Sequence, residues 1–284
     1  LTPLKPFKKD YPINPSWEIA RSLPAWLPPL RTKQPLGKPS SIPTPFNPPP
    51  PAAPAIPPVR LVVHDKPIRV NYETVRGVVP RLWEGAAIDS AGGSGVEGGD
   101  GKGEDGKGGG VQEGEGKEGG INPAIDLMLH IGMAGPRLFY AVERRGHRDG
   151  YVMGDVDGEV PAPREEVGEG WIWEGMPPEL LTDVDVEDVL RRWRGHSPRH
   201  MDLRISEDAG HYMCDFIYFS SLAYLYKAGE KRRVLFLHVP SDASEHSIAT
   251  GRELVLQLVR SVVESEVVRR EKAKEEGKVE GAAV

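Results

Sequence analysis

Two stretches of this 284-residue chain cannot build a core. Residues 28–58 hold 13 of the 28 prolines, and residues 92–120 hold 15 of the 33 glycines. Neither carries enough apolar side chains to offset the entropy of ordering it, so both read as disordered insertions. What is left suits one domain with a full core, and two similar-sized domains are not expected. The expected organisation is therefore a single domain over residues 1–284. It carries the two insertions and a charged, solvated C-terminal tail at 265–284.

Charge and cysteine usage narrow the class. The net charge is −6, and no basic block is denser than Lys8-Lys9 or Lys231-Arg232-Arg233, which argues against nucleic acid as a partner. No apolar run reaches the roughly 20 residues of a membrane span, and no secretory hydrophobic region is present. Membrane partners are not expected. With Cys214 as the one cysteine, no intramolecular disulfide can form, and a reducing, cytoplasmic setting fits.

Outside the insertions, strand-like and helix-like patterns alternate. Asn14-Pro15 opens a helix that ends near Leu23-Pro24. Residues 59–63 read as a short strand. Tyr72, Val75, Val79 and Leu82 share helical spacing, with Pro80 expected to kink or shorten that helix. Residues 125–131 read as a buried central strand ending in Gly132. Asp185 caps a helix with Val186, Val189, Leu190 and Trp193 on one face. Residues 201–205 form a strand, 212–226 a largely apolar helix and 234–239 a buried strand. Thr250-x-x-Glu253 has the form of a capping box opening the last helix. This alternation predicts an α/β fold whose mostly parallel sheet has helices on both faces.

Cys214 is the residue with chemical potential. It lies in the first turn of a helix, where the positive end of the helix dipole favours the thiolate. His238 closes the strand Val234-Leu235-Phe236-Leu237, and in open α/β sheets sites collect at the carboxyl ends of strands. Cys214 and His238 are both expected at one such edge. A Cys–His pair needs a third group to orient the imidazole, and Glu143 is a candidate. In that arrangement the sulfur lies within about 4 Å of one ring nitrogen and Glu143 reaches the other.

Four blocks carry a family resemblance. Leu1-Thr2-Pro3-Leu4-Lys5-Pro6-Phe7 with Asn14-Pro15-Ser16-Trp17-Glu18 is similar to the opening of pyroglutamyl-peptidase I, also called pyrrolidone-carboxylate peptidase. His130-Ile131-Gly132-Met133-Ala134-Gly135 resembles that family's "VGxAGG" turn, with Glu143 at the position of its glutamate. Ala209-Gly210-His211-Tyr212-Met213-Cys214-Asp215 resembles its nucleophile block, and Phe236-Leu237-His238-Val239-Pro240 its histidine block. The four occur in family order.

The resemblance implies a three-layer α/β/α sandwich around a mixed, mostly parallel sheet. It implies a cysteine peptidase that removes N-terminal pyroglutamate through Cys214, His238 and Glu143, with a thioester intermediate and no metal or cofactor. The partner would be an N-terminally blocked peptide. Phe7, Leu4, Met133, Tyr212 and Gly210 would line the pyrrolidone pocket.

The chain departs from the pattern at several of these positions. Met133 stands where an amide side chain contacts the ring, Leu4 replaces an aromatic residue, Tyr212 replaces Phe and Asp215 replaces Asn. An unpaired buried polar group costs on the order of 1–3 kcal/mol, so weakened turnover of pyroglutamyl substrates is expected. A charged Asp215 close to the sulfur would raise the thiol pKa. The alternative reading is a catalytically weak relative acting as a binding or scaffold protein.

Two further signals read as structural. His196-x-x-x-His200 has zinc-pair spacing but encloses Pro198 and lacks an acidic partner at the usual distance. His147 falls in a polar stretch after Glu143 and reads as part of a solvated loop.

Overall fold

The computed structural model describes residues 1–3, 12–29, 55–85, 121–122, 124–135, 137–162 and 171–282. Leu4, Phe7, residues 30–54 of the proline-rich stretch and all of the glycine-rich stretch lie outside the described residues.

The strands are β1 (Thr2–Pro3), β2 (Met128–Met133), β3 (Tyr140–Glu143), β4 (Arg145–His147), β5 (Glu179–Leu181), β6 (Leu203–Ser206) and β7 (Val234–Val239). The helices are α1 (Pro15–Arg21), α2 (Tyr72–Glu84), α3 (Val186–His196), α4 (Met213–Lys227) and α5 (Glu245–Ala282). The main sheet has the order β1-β2-β7-β3-β6, and β4 with β5 forms a separate antiparallel pair. β1, β2 and β7 are parallel, as are β3 and β6, while β3 meets β7 antiparallel. The sheet is thus mixed, mostly parallel, with helices on both faces.

Every residue of β2 and β7 is buried, as expected for central strands covered on both sides. Side-chain alternation divides them between two cores. Phe236 joins α2 and α4 on one face, in a cluster with Tyr72, Val75, Phe216 and Phe219. Leu235, Leu237 and Val239 join α1, α3 and α5 on the other, with Ile19, Val189, Trp193 and Leu258. α4 is apolar nearly all round because the sheet, α2 and the β4–β5 pair enclose it. Its buried residues run from Met213 to Leu225.

Capping follows local chemistry at α1, α2 and α3, where Asn14, Asn71 and Asp185 accept backbone N–H groups. Other expectations are corrected. Residues 59–63 form no sheet strand: their backbone makes a single bridge, Trp26 with Arg60, and bonds Leu27 and Leu1. α2 runs on through Pro80 to Glu84, carrying buried Val79 and Trp83 into the core, and stops at Gly85 with φ 66°. The last helix begins at Glu245, so Thr250 and Glu253 lie inside it. Ser244 holds its start, accepting the Ser247 N–H at Oγ and the Ile248 N–H at its carbonyl. That helix continues past residue 264, with Glu264 and Ser265 still buried, and residues 269–276 are exposed, as expected of a charged, solvated tail that begins slightly later than residue 265.

Candidate active site

His238 and Glu143 come together through strand pairing. In the antiparallel register of β3 with β7, Ala141 faces His238 and Glu143 faces Phe236. Glu143 and His238 are diagonal neighbours on one face, a separation long side chains span. His238 Nδ1 and Glu143 Oε1 are 2.7 Å apart, and both side chains are buried. Arg137 Nη1 donates to the same oxygen at 2.7 Å, while Nη2 donates to the Asp208 carbonyl at 2.8 Å. Tyr218 from α4 donates to the Glu143 backbone carbonyl. Glu143 Oε2 has no hydrogen-bond partner among the described residues.

Cys214 reaches this face from α4. Gly132 of β2 pairs with His238 of β7, and a Cβ at Gly132 would lie 2.9 Å from Cys214 Sγ and 2.6 Å from the Phe236 ring. The glycine is required by that close approach. The Phe236 and His238 rings are in contact with their planes tilted by 49°, centroids 4.7 Å apart. Among the described residues no hydrogen bond joins Cys214 Sγ to His238. The route of Cys214 to the site also differs from expectation. β6 runs antiparallel to β7, and its end, Ser206, pairs with Glu143 at the level of Phe236. Cys214 therefore does not follow a strand that ends beside His238.

The turn before α4 is unusual. Gly210 has φ 97° and His211 φ 43°, the latter the one non-glycine residue with positive φ among those described. Such a conformation carries strain that the surroundings must hold. Tyr212 follows in an extended conformation as the N-cap, and no side chain caps the helix there. The first N–H groups of α4 thus lie at the positive end of the dipole without a capping side chain.

Electrostatics oppose a resting thiolate. Burial pushes the Cys214 thiol up to about 12, the negative charges of Glu143 and Asp215 add to this, and Arg137 pulls the other way. At neutral pH the sulfur holds its proton until a base removes it.

Asp215 is buried and accepts both the backbone N–H and Nδ1–H of His147, each at 3.0 Å. That hydrogen bond raises the His147 pKa. The solvated-loop reading of His147 is corrected by this: the residue ends β4 and is half-buried against α4. Gly146 makes the contact possible, since a Cβ there would lie 3.0 Å from the Phe219 backbone. His196, of the zinc-like pair, is bound instead to Glu264, at 2.9 Å.

The remaining pocket residues scatter. Tyr212 donates from its hydroxyl to the Gly154 carbonyl, and Gly210 lies exposed in the turn. Met133 pairs with Val239 and by alternation shares the face of Ile131, opposite that of Gly132 and His238. Sequence reasoning missed Arg137 and the carbonyl of Asp208. An Arg six residues before the glutamate gives no pattern by itself, because its role depends on the turn that folds it back.

No family model matches the sequence. Pyroglutamyl-peptidase 1 from Rattus norvegicus and from Homo sapiens are each 25% identical over 178 residues, 63% of this chain. The match spans 62% of the length of these relatives. Among solved structures, pyrrolidone carboxyl peptidase from Thermococcus litoralis superposes with a TM-score of 0.57 at 14% identity, covering 95% of this chain and 94% of that one. The Pyrococcus furiosus enzyme gives 0.54 at 18% identity, covering 95% and 97%. The structural likeness shows the α/β fold. The sequence relatives carry the name of the family that the four sequence blocks resemble.

Proposed function

We propose that this chain is a member of the pyroglutamyl-peptidase family acting as a cysteine peptidase on N-terminally blocked peptides, with Cys214 as nucleophile. The observation that carries this reading is the Glu143–His238 pair on the sheet face against which Cys214 Sγ is packed, next to Gly132. Glu143 holds the Nδ1 side of the imidazole, which leaves Nε2 to exchange the thiol proton.

In the proposed reaction His238 takes the Cys214 proton as the sulfur attacks the pyroglutamyl carbonyl carbon. Coupled transfer suits a thiol whose pKa is raised. The carbonyl oxygen becomes an oxyanion, which N–H groups at the start of α4 stabilise. The C–N bond breaks, the His238 proton goes to the departing amine, and a thioester remains. Water, deprotonated by His238, adds to the thioester and frees pyroglutamate and the thiol. This sequence draws on no metal or cofactor. A free thiol nucleophile suits a reducing, cytoplasmic compartment.

The test is release of fluorophore from a pyroglutamyl aminomethylcoumarin amide by the full chain, with Cys214→Ala as control. Turnover that the substitution abolishes is expected. Absence of thiol-dependent turnover in a folded protein whose Cys214 still reacts with iodoacetamide would overturn the reading in favour of a binding protein.

A further inference from the structure

Three side chains from separate segments converge beside the first turn of α4: His147 from the end of β4, His211 from the strained turn and Asp215 from the helix itself. One ligand-capable atom of each lies within 4.8 Å of the other two. Asp215 Oδ2 is 3.0 Å from His147 Nδ1 and 3.7 Å from His211 Nδ1. Two ligands held about 2.0–2.2 Å from a tetrahedral zinc ion stand roughly 3.3–3.6 Å apart. The two separations from Asp215 bracket that spacing.

The surroundings of both imidazoles fit the same role. A histidine that ligates a metal through one nitrogen gives its other N–H to a carboxylate or carbonyl. Beyond His147, Nε2 lies 4.0 Å from Glu179 Oε1, and beyond His211, Nε2 lies 4.0 Å from Asp208 Oδ1. Both are longer than a hydrogen bond, so each carboxylate stands on the correct side of its ring and closes on it when the ion binds. Gly150, at φ 94°, keeps the space beside His211 open, since a Cβ there would lie 2.8 Å from its Nδ1. His211 Nδ1 is also 3.0 Å from the Asp149 carbonyl, a hydrogen bond an ion would replace.

We propose that His147, His211 and Asp215 bind a divalent transition-metal ion, with water completing its coordination. Two imidazoles and one carboxylate suit zinc, cobalt or nickel better than calcium or magnesium. When the ion binds, each neutral ring carries its proton on Nε2, the side where Glu179 or Asp208 stands. None of the three side chains takes part in the bond-making and bond-breaking steps proposed for the peptidase reaction, although the charge of Asp215 raises the Cys214 thiol pKa, so ion binding is tested without reference to turnover.

The experiment is titration of the chelator-treated full chain with Co²⁺, followed by Zn²⁺, read by visible absorption, calorimetry and melting temperature. Expected are one Co²⁺ per chain with the visible bands of a cobalt site of low coordination number, no thiolate charge-transfer band, and displacement by Zn²⁺. The melting temperature rises with ion concentration, since the ion binds the folded chain. His211→Ala, at a half-exposed residue, and Asp215→Asn weaken binding at least about tenfold, whereas Cys214→Ser leaves it unchanged. Circular dichroism checks that each variant is folded. No uptake at millimolar ion, unchanged affinity in folded His211→Ala, or loss of binding in Cys214→Ser would each overturn the assignment.

Discussion

The carboxylate of Glu143 and the imidazole of His238 meet at 2.7 Å across 95 residues of chain. Antiparallel pairing of β3 with β7 produces the contact, and Arg137 fixes the shared oxygen from the other side. The same carboxylate also works against ionisation of Cys214.

Replacing Glu143 with Gln should therefore move two measurements in opposite directions. In the proposed reaction the imidazolium would lose its anion, so kcat should fall by about 100-fold or more with KM little changed. Iodoacetamide should meanwhile alkylate Cys214 faster at a fixed pH near 8, because a negative charge near the sulfur is gone. A variant that keeps kcat within a few-fold of the parent would remove Glu143 from the catalytic group.

Gly132→Ala tests the close approach of β2 to the thiol. The added methyl meets the Phe236 ring and Cys214 Sγ inside van der Waals distance. Overpacking of this kind costs about 1–3 kcal/mol. The urea midpoint should drop and turnover should fall with it. An unchanged midpoint would mean that α4 can move away from the sheet freely.

Legibility in the sequence followed burial and length. β2, β7 and α4 stood out because each is rich in apolar residues and enclosed on both sides, although β2 was read at 125–131 and runs from Met128 to Met133, with Gly132 inside the strand. These elements carry Gly132, His238 and Cys214. β3 did not, because Tyr140-Ala141-Val142-Glu143 is four residues long and its antiparallel pairing depends on distant partners. Glu143 was therefore legible as a candidate third group and at its family position, without a strand to hold it. His147 was hidden for a related reason: Arg145-Gly146-His147 is polar, and only the fit of Gly146 against α4 makes it a buried edge. Thr250-x-x-Glu253 satisfied a capping pattern, yet Ser244 starts the helix earlier because its hydroxyl can accept the Ser247 N–H.

Met133→Gln addresses the pocket. The register of β2 with β7 sets Met133 with Val239 on the face opposite Gly132. An amide introduced there enters an apolar, buried setting, and an unsatisfied group costs on the order of 1–3 kcal/mol. The variant should be less stable, and its kcat/KM for pyroglutamyl substrates should not rise. A clear rise in kcat/KM would show instead that position 133 reaches the ring.

The last prediction concerns acid stability and His130. This imidazole is fully buried in β2, with Nε2 2.8 Å from Ser221 Oγ and Nδ1 bonded to Thr2 Oγ1. Both hydroxyls can donate or accept, so a neutral ring is satisfied. Burial lowers its pKa from 6.5 to about 3. The sign follows from which state binds the proton first. Between pH 6.5 and about 3 the unfolded chain takes up a proton that the folded chain refuses. The stabilisation is therefore complete above pH 6.5 and is lost as the pH falls toward 3. The slope is at most about 1.4 kcal/mol per pH unit, and other groups add to it as carboxylates titrate. His130→Gln keeps a donor and an acceptor at the site and removes the titration. Urea midpoints at a series of pH values from neutral to about pH 4.5 should fall more steeply in the parent than in the variant. Parallel curves would mean that His130 is protonated in the folded state or reached by water, against its burial between β2 and α4.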